Sequence, residues 1–218
     1  MNLSDINKKI ILSKREYGAH EFKEEEIHAD PFQQFLFWFN AVLELKTDDP
    51  CAAVLATVDA NNIPDARVVL LNELQINQFI FYTHYESRKG KQLALHVEAA
   101  LNFYWPSCSR QVRLRGSVKK IPAEQSDAYF ARRSRESQLA VYAWHQDEIL
   151  ASRAEMQKRL QQVAERFKDQ KIPRPDYWGG YQFTPFEYEF FQGRDWRMHD
   201  RILYRLHHEQ WLIERLAP

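Results

Sequence analysis

The chain has 218 residues, of which 44% are hydrophobic, and its 30 basic side chains are balanced by 30 acidic ones. This composition is typical of a globular protein, and the zero net charge argues against nucleic acid or an anionic membrane as a partner. The two cysteines form neither a disulfide framework nor a metal-binding spacing, so we expect a reduced, cytoplasmic setting and no bound metal. No stretch has the pattern of a signal peptide or a membrane span, so we expect no membrane association.

The first predicted elements are helical. Residues 4–17 have apolar side chains near one face and predict an amphipathic helix, whereas the charged residues 18–30 predict an irregular connection. Together they make 1–30 a partly mobile N-terminal segment. Asp30 followed by Pro31 is typical of a helix start. Apolar residues then recur at helical spacing and predict packing on the core, at Phe32, Phe35, Leu36, Phe39 and Leu43.

About eight strand signals follow. They occupy residues 51–59, 66–71, 78–83, 99–105, 111–121, 181–191, 197–205 and 210–216. Helices are predicted at 87–96 and 122–133, and after a capping box at Ser152 and Glu155, with Met156 among the core-facing residues of that helix. Sequential strands joined by short turns favour an antiparallel barrel over a doubly wound sheet. Because no linker divides the chain, we predict one mostly β (α+β) domain over 1–218, with peripheral helices.

A phosphate site is predicted at one helix start. The six glycines form no GxGxxG motif and no P-loop, so side chains and a helix end must hold any phosphorylated ligand. Ser87, Arg88 and Lys89 open a predicted helix, where free backbone N–H groups, the helix dipole and two cations converge. An ordinary basic surface turn fits the same pattern equally well.

Alternating charges near the C-terminus predict a second anion site. On a strand, Arg197, His199 and Arg201 share one face, and three adjacent potential cations repel each other unless an anion or water lies among them. A flavin or a substrate phosphate would satisfy them. The solvated outer face of an antiparallel sheet is the competing interpretation.

Two further polar sets are weaker signals. Tyr129, Arg133 and Ser137 are spaced by four, so they share a helix face if the helix continues past Arg133, and their groups suit a phosphate monoester. Gln111 begins the polar face of a predicted strand, and its amide can pair with the edge of a heterocycle. Solvated surfaces fit both sets as well.

Ordered motifs along nearly the whole chain, from about Lys14 to Pro218, resemble those of one family. They are Arg67-Val-Val-Leu-Leu71, Phe81-Tyr-Thr83, Ser87-Arg-Lys89, Arg110-Gln111, Ser137-Gln138, Tyr177-Trp-Gly-Gly180, Glu189-Phe-Phe-Gln-Gly193 and Arg197-Met-His-Asp-Arg201. The family is that of the pyridoxine/pyridoxamine 5'-phosphate oxidases. The resemblance implies an FMN-binding split β-barrel and a homodimer with its two sites at the subunit interface. It also implies oxidation of pyridoxine or pyridoxamine 5'-phosphate to pyridoxal 5'-phosphate with dioxygen as acceptor.

The resemblance also implies roles for individual residues. The expected FMN contacts are Arg67, Val68, Val69, Leu70, Leu71, Tyr82, Thr83, Arg88, Lys89, Gln111, Gln146, Phe191 and Arg201. The expected substrate contacts are Lys14, Tyr17, Asn72, Tyr129, Arg133, Ser137, Arg197 and His199. Of these, Arg197 and His199 form the expected catalytic pair, holding the pyridine ring over the flavin, and Tyr17 belongs to a segment that folds over the substrate.

Four ligand positions depart from the family pattern. Asn72 stands where Lys is usual, Asp147 where Ser is usual, Phe191 where Trp is usual and Lys14 where Arg is usual. Losing the charge at Asn72 costs about 1.5–3 kcal/mol of substrate binding, and the new charge at Asp147 has no evident benefit beside FMN. Two alternatives therefore stay open: an FMN oxidase of the phenazine-pathway type, and a non-catalytic flavin- or pyridoxal-phosphate-binding protein.

Overall fold

The computed structural model describes residues 6, 7, 10, 17, 20–46 and 49–218. Most of the helix predicted over residues 4–17 lies outside the described residues, although Ile6, Asn7 and Ile10 are helical. The described strands are β1 (Ala52–Val58), β2 (Pro64–Leu70), β3 (Glu73–Gln75), β4 (Gln78–His84), β5 (Glu98–Trp105), β6 (Arg110–Lys120), β7 (Trp178–Gln192), β8 (Asp200–His207) and β9 (Gln210–Leu216). The described α-helices are α1 (Pro31–Glu44), α2 (Arg88–Leu95), α3 (Ala123–Arg132), α4 (Arg135–Ala143) and α5 (Arg153–Arg166).

All nine strands belong to one sheet. The strand order is β2-β1-β5-β6-β7-β4-β3, and β8 pairs with both β7 and β9. The pairs β1–β2, β1–β5, β3–β4, β4–β7 and β8–β9 are antiparallel. The mostly β, α+β class predicted from the sequence is therefore confirmed. No helix among the described residues is long and apolar enough to cross a membrane. The cytoplasmic setting stays a prediction.

The chain packs as two compact units, each made of discontinuous segments. Of the described residues, those within 1–50, 104–112 and 188–218 form the first unit, and those within 51–103 and 113–187 form the second. The single domain over 1–218 stays a prediction.

The first unit is held together by aromatic packing around α1. The Asp30 side chain caps this helix by accepting a hydrogen bond from the Phe32 N–H group at 2.9 Å. The Trp38 ring is fully buried and lies 5.2 Å from the ring of Phe190 on β7. The sequence predicts that Leu36 and Leu43 pack on the core, but Leu36 is half-buried and Leu43 is exposed. Trp38 and Val42 are buried instead, so the buried face of α1 is rotated relative to the predicted one.

The second unit packs α3, α4 and α5 around a separate cluster. Phe130, Leu139, Val141, Phe167, Ile172 and Trp178 form this buried cluster. Ser152 caps α5 as predicted, since its Oγ accepts from the Glu155 N–H group at 3.2 Å. Met156 is exposed and does not face the core as predicted. The residues of α5 that pack against the cluster are Leu160, Val163 and Ala164, and they are only partly buried.

One local prediction that bears on the site is wrong. The strand predicted from residue 197 begins only at Asp200, and Arg197 lies in a short 3-10 helix, Asp195–Arg197. Arg197, His199 and Arg201 are therefore not alternate residues of one strand face. The helix predicted over 122–133 is α3, which ends at Arg132. A new helix, α4, begins after Ser134, whose side chain caps it, so Tyr129, Arg133 and Ser137 do not share the face of one continuous helix.

Candidate functional site

The second unit contains a cavity of about 460 Å³. It is lined by Val68, Val69, Leu70, Asn72, Tyr82, Thr83, His84, Lys89, Tyr129, Arg133, Ser137, Ala140, Val141, Trp144, Gln146 and Trp178. The volume lies within the range of small-molecule and cofactor sites, and apolar walls with a few polar groups are typical of them. Eleven residues that the sequence assigns to ligands meet here, although they come from β2, β4, α2, α3, α4 and the segments that join these elements.

One wall of the cavity is the apolar face of β2. Val68 and Leu70 are 61% and 51% exposed, so this part of the wall is bare. The Arg67 side chain is already engaged: its guanidinium forms an ion pair with Asp65 at 2.6 Å and donates to Gln92 at 3.0 Å. Arg67 stiffens this strand and is not among the residues that line the cavity.

A second wall is a stack of aromatic rings. The Tyr82 and Tyr129 rings are parallel within 6° and their centroids are 3.6 Å apart. Both rings also stack with Trp178, at 5.6 and 6.2 Å. Asn72 Nδ2 donates to the Tyr129 hydroxyl at 2.9 Å, so this side chain holds the ring through a neutral hydrogen bond.

Arg133 presents an unsatisfied cation to the cavity. Its Nη1 atom is buried and has no hydrogen-bond partner among the described residues, and its guanidinium carbon lies 4.6 Å from the Trp178 ring centroid. Burial lowers the pKa of Arg133. Ser137 lines the cavity beside it, and its Oγ accepts from Ser134 Oγ at 2.9 Å. Since an unpaired buried donor is costly, this corner favours an anion that accepts several hydrogen bonds.

The start of α2 forms another polar corner. The Ser87 hydroxyl caps the helix by accepting from the Gly90 N–H group at 3.3 Å. Lys89 is only 5% exposed, lines the cavity and donates to Ser87 Oγ at 3.3 Å. Burial lowers the pKa of Lys89. Close by on the lining, Thr83 Oγ1 donates to Gln146 Oε1 at 3.1 Å.

Five residues of the lining were not assigned from the sequence, and His84 is the titratable one among them. His84 ends β4 and is buried, and its Nδ1 has no hydrogen-bond partner among the described residues. Burial, together with the charges of His145 and Lys89, lowers the pKa of His84 to about 4. Its position next to Thr83 was the only available signal, because the residue lies one position beyond the predicted strand.

The first unit holds a separate group, which we call the His199 cluster: Tyr17, Phe191, Arg194, Arg197 and His199. The Arg194 N–H group donates to His199 Nδ1 at 3.0 Å. The rings of Tyr17 and Phe191 each lie 5.0 Å from the His199 ring, the former edge-on. Burial and the Arg197 charge lower the pKa of His199. His199 is therefore held as a neutral ring whose Nε2 carries the proton.

The backbone around this cluster is strained and crowded. Trp196 and Arg197 have φ angles of 58° and 61°, and both side chains are exposed. This left-handed conformation is unfavourable for residues other than glycine and often marks functional turns. A Cβ atom on Gly193 would lie 2.3 Å from the Tyr17 ring, so only glycine lets Tyr17 approach this closely.

The remaining assigned residues are accounted for as follows. Arg201 is tied to Glu189 at 2.7 and 2.9 Å and to the Ala217 carbonyl at 2.8 Å. Gln111 is half-buried near the start of β6 in the first unit. Leu71 and Arg88 belong to the second unit but do not line the cavity. Lys14 lies outside the described residues.

Comparison with known sequences identifies similar proteins over almost the whole chain. The profile described as pyridoxamine 5'-phosphate oxidase matches residues 40–167. The profile described as the pyridoxine 5'-phosphate oxidase C-terminal dimerisation region matches residues 178–218. A pyridoxine/pyridoxamine 5'-phosphate oxidase of Legionella pneumophila is 47% identical over 205 residues, which is 94% of this chain and 95% of that protein. One from Acaryochloris marina is 43% identical and covers 94% of each chain.

Solved structures confirm the fold. PhzG from Burkholderia lata, in complex with tetrahydrophenazine-1-carboxylic acid, superposes with a TM-score of 0.85 at 23% identity, covering 92% of this chain and 100% of that one. A pyridoxamine 5'-phosphate oxidase-related, FMN-binding protein from Nostoc punctiforme superposes with a TM-score of 0.69 at 18% identity, covering 87% and 98%. At these identities the likeness shows the fold alone, and it confirms the antiparallel split β-barrel expected from the sequence.

Proposed function

The chain belongs to the pyridoxine/pyridoxamine 5'-phosphate oxidase family, and on that premise we propose that it oxidises pyridoxine or pyridoxamine 5'-phosphate to pyridoxal 5'-phosphate. It is an oxidoreductase whose cofactor is FMN. Dioxygen is the proposed electron acceptor, and vitamin B6 salvage is the process this reaction serves.

The main support for a phosphorylated substrate is the buried Nη1 atom of Arg133, which is unpaired among the described residues. A buried guanidinium nitrogen without a partner in the described part of the chain points to a ligand that brings an anion with it. Tyr129 and Ser137 line the same cavity and add two hydroxyls. A phosphate monoester has the charge and the acceptor oxygens for all three groups.

The cavity also fits FMN by the chemistry of its lining. The bare apolar face of Val68 and Leu70 suits a flat ring, and the α2 start with buried Lys89 suits a phosphate. Thr83 and Gln146 offer polar groups between these two regions. When bound, FMN would supply the redox chemistry, with the substrate as the electron donor and dioxygen as the proposed final acceptor.

We assign the catalytic roles to Arg197 and His199. The neutral His199 ring can donate a hydrogen bond from Nε2 or move a proton at that atom. The exposed Arg197 guanidinium can stabilise negative charge that develops on the pyridine hydroxyl. Tyr17 packs against His199 and would restrict the access of water to it.

We further propose a homodimer with its FMN sites at the subunit interface. The match of residues 178–218 to a dimerisation region supports this assembly. Sedimentation or light scattering of the purified protein would test it, and a monomer carrying full activity would contradict it.

Anaerobic mixing of the FMN-loaded protein with pyridoxine 5'-phosphate tests the reaction. The flavin absorbance should bleach, should return when air is admitted, and pyridoxal 5'-phosphate should accumulate over many turnovers per flavin. Unphosphorylated pyridoxine is the matched control, and it should react far more slowly because Arg133 has no anion to bind.

Two other outcomes would replace this proposal. If FMN binds but never bleaches, even at high substrate concentration, the protein is a flavin- or pyridoxal-phosphate-binding protein without turnover. If the flavin is reduced by tetrahydrophenazine-1-carboxylic acid and not by the phosphorylated pyridines, the phenazine-type oxidase is the better description.

A further inference from the structure

An acid occupies the helix start where the cofactor's phosphate is expected. Asp147 lies in the segment between α4 and α5, and its Oδ2 accepts a hydrogen bond from the Arg88 N–H group at 2.7 Å. Arg88 is the first residue of α2, so this N–H group is one of those that no helical carbonyl can satisfy. A carboxylate in this position is the internal counterpart of a bound anion.

A buried cation beside the helix start marks the same place for an anion. Lys89 lines the cavity at 5% exposure, and in the described part of the chain no carboxylate lies within ion-pair distance of its ammonium group. Burial lowers the pKa of Lys89, and the nearby Asp147 charge opposes that shift. Asp147 therefore lies within electrostatic reach of the cation that the cofactor's phosphate would use.

We propose that the Asp147 carboxylate competes with the phosphate of FMN for the start of α2. It thereby lowers the affinity for FMN and narrows the discrimination between FMN and riboflavin. This inference rests on the proposed function, because it takes FMN as the cofactor and the α2 start as the place of its phosphate.

The competition follows from charge. A phosphate monoester carries about −1.5 to −2 charges at neutral pH, so it either displaces the carboxylate from the Arg88 N–H group or remains close to a like charge. Both outcomes weaken binding by roughly the worth of one charge-assisted hydrogen bond, or about ten-fold in affinity. Riboflavin has no phosphate and experiences neither effect.

The test compares two flavins on three proteins. Asp147→Asn removes the charge, keeps the shape and tolerates the φ angle of 73° at this position. Asp169→Asn is the matched control, because Asp169 is also exposed and has a φ angle of 55°. The flavin is removed from each full-length protein, and the Kd values for FMN and riboflavin are measured by flavin fluorescence.

We expect Asp147→Asn to bind FMN about ten-fold more tightly at low salt, with a smaller gain as salt screens the charges. Its riboflavin Kd and both Kd values of Asp169→Asn should stay within about two-fold of the original protein. Asp147→Ser, which carries the family's usual residue, should reproduce the effect if Asp147→Asn folds poorly.

Three results would overturn the inference. If Asp147→Asn binds FMN with unchanged or lower affinity, Asp147 does not compete with the phosphate, although FMN remains the cofactor. An equal gain for FMN and riboflavin would place the Asp147 effect on the ring or the ribityl chain instead of the phosphate. Failure of all the proteins, including the unaltered one, to bind FMN would overturn the proposed function as well.

Discussion

The cavity of the second unit and the His199 cluster of the first unit are built differently. The cavity is lined mostly by residues of regular strands and helices, and several of its side chains are locked by stacking, such as Tyr82 against Tyr129 at 3.6 Å. The His199 cluster lies on a turn with two successive left-handed residues, Trp196 and Arg197, whose side chains are exposed. Binding groups are thus preformed, whereas the assigned catalytic groups lie on strained backbone.

This difference predicts that the two regions affect different kinetic constants. Changes in the His199 cluster should act on the rate of the chemical step, and changes in the cavity should act on the affinity for ligands. Kinetic constants distinguish the two, because a group that acts only in the transition state changes kcat, whereas one that binds ground state and transition state equally changes KM.

The largest effect is expected from Arg197→Met, which keeps the length of the side chain and removes its charge. Loss of one electrostatic donor to the transition state should lower kcat by about 10²- to 10³-fold, with FMN affinity unchanged. Steady-state kinetics with pyridoxine 5'-phosphate measure this. Lys158→Met, on the exposed part of α5, is the control for loss of a surface charge. A variant with normal kcat and a raised KM would contradict the proposal that the His199 cluster acts on the chemical step.

Arg133→Met should act on KM instead. Loss of the buried phosphate contact should raise KM about ten- to a hundred-fold and leave kcat nearly unchanged. Nη1 has no partner in the described part of the chain, so the variant loses mainly the contact with the Trp178 ring. The free energy of unfolding should therefore fall by no more than about 1 kcal/mol. Arg132→Met, its exposed neighbour, should change neither constant. A large fall in kcat would contradict this assignment.

His84 makes the stability of the cavity wall depend on pH. Burial lowers its pKa from 6.5 to about 4, so between these values the unfolded chain binds more protons than the folded protein. The free energy of unfolding should therefore fall as pH drops through this window, by at most about 1.4 kcal/mol per pH unit.

The comparison with His84→Phe isolates this proton. The variant keeps a ring to stack on Tyr177, whose centroid lies 5.4 Å from that of His84, and it cannot titrate. Urea unfolding from about pH 6.5 to about pH 5 should cost the original protein up to about 2 kcal/mol more than the variant. If the free energy of unfolding depends on pH equally in both proteins, water reaches the His84 ring and its pKa is not lowered by burial.

The smallest effect is expected from Asn72→Lys, which introduces the positive charge that the resemblance led us to expect at this position. Asn72 is exposed and already holds the Tyr129 hydroxyl at 2.9 Å, so the new charge should lower KM only about five-fold. Asn61→Lys, in the exposed turn between β1 and β2, is the control. A change in kcat instead of KM would place this position nearer to the reacting atoms than the cavity suggests.

Local patterns predicted the elements of both units well. The caps of α1 at Asp30 and of α5 at Ser152 were predicted correctly, because a cap depends on a side chain within three residues of the N–H group that it satisfies. The alternation along β6 was readable because one face of the strand is buried, at Val112 and Leu114. The helix α4 was not predicted, although its cap at Ser134, which accepts from the Ser137 N–H group, is a local signal of the same kind.

By itself, the sequence determined the family, the α+β class and the residue types of the site, because ordered motifs and periodicity are properties of neighbouring residues. Only the tertiary structure decided which groups meet. Asn72 reaches Tyr129 across 57 positions, Arg88 reaches Asp147 across 59 and Thr83 reaches Gln146 across 63. Contacts at such separations depend on how strands and helices pack, and Asp147 changed from an unexplained departure to a proposed competitor of the cofactor only when its distance to the Arg88 N–H group was known.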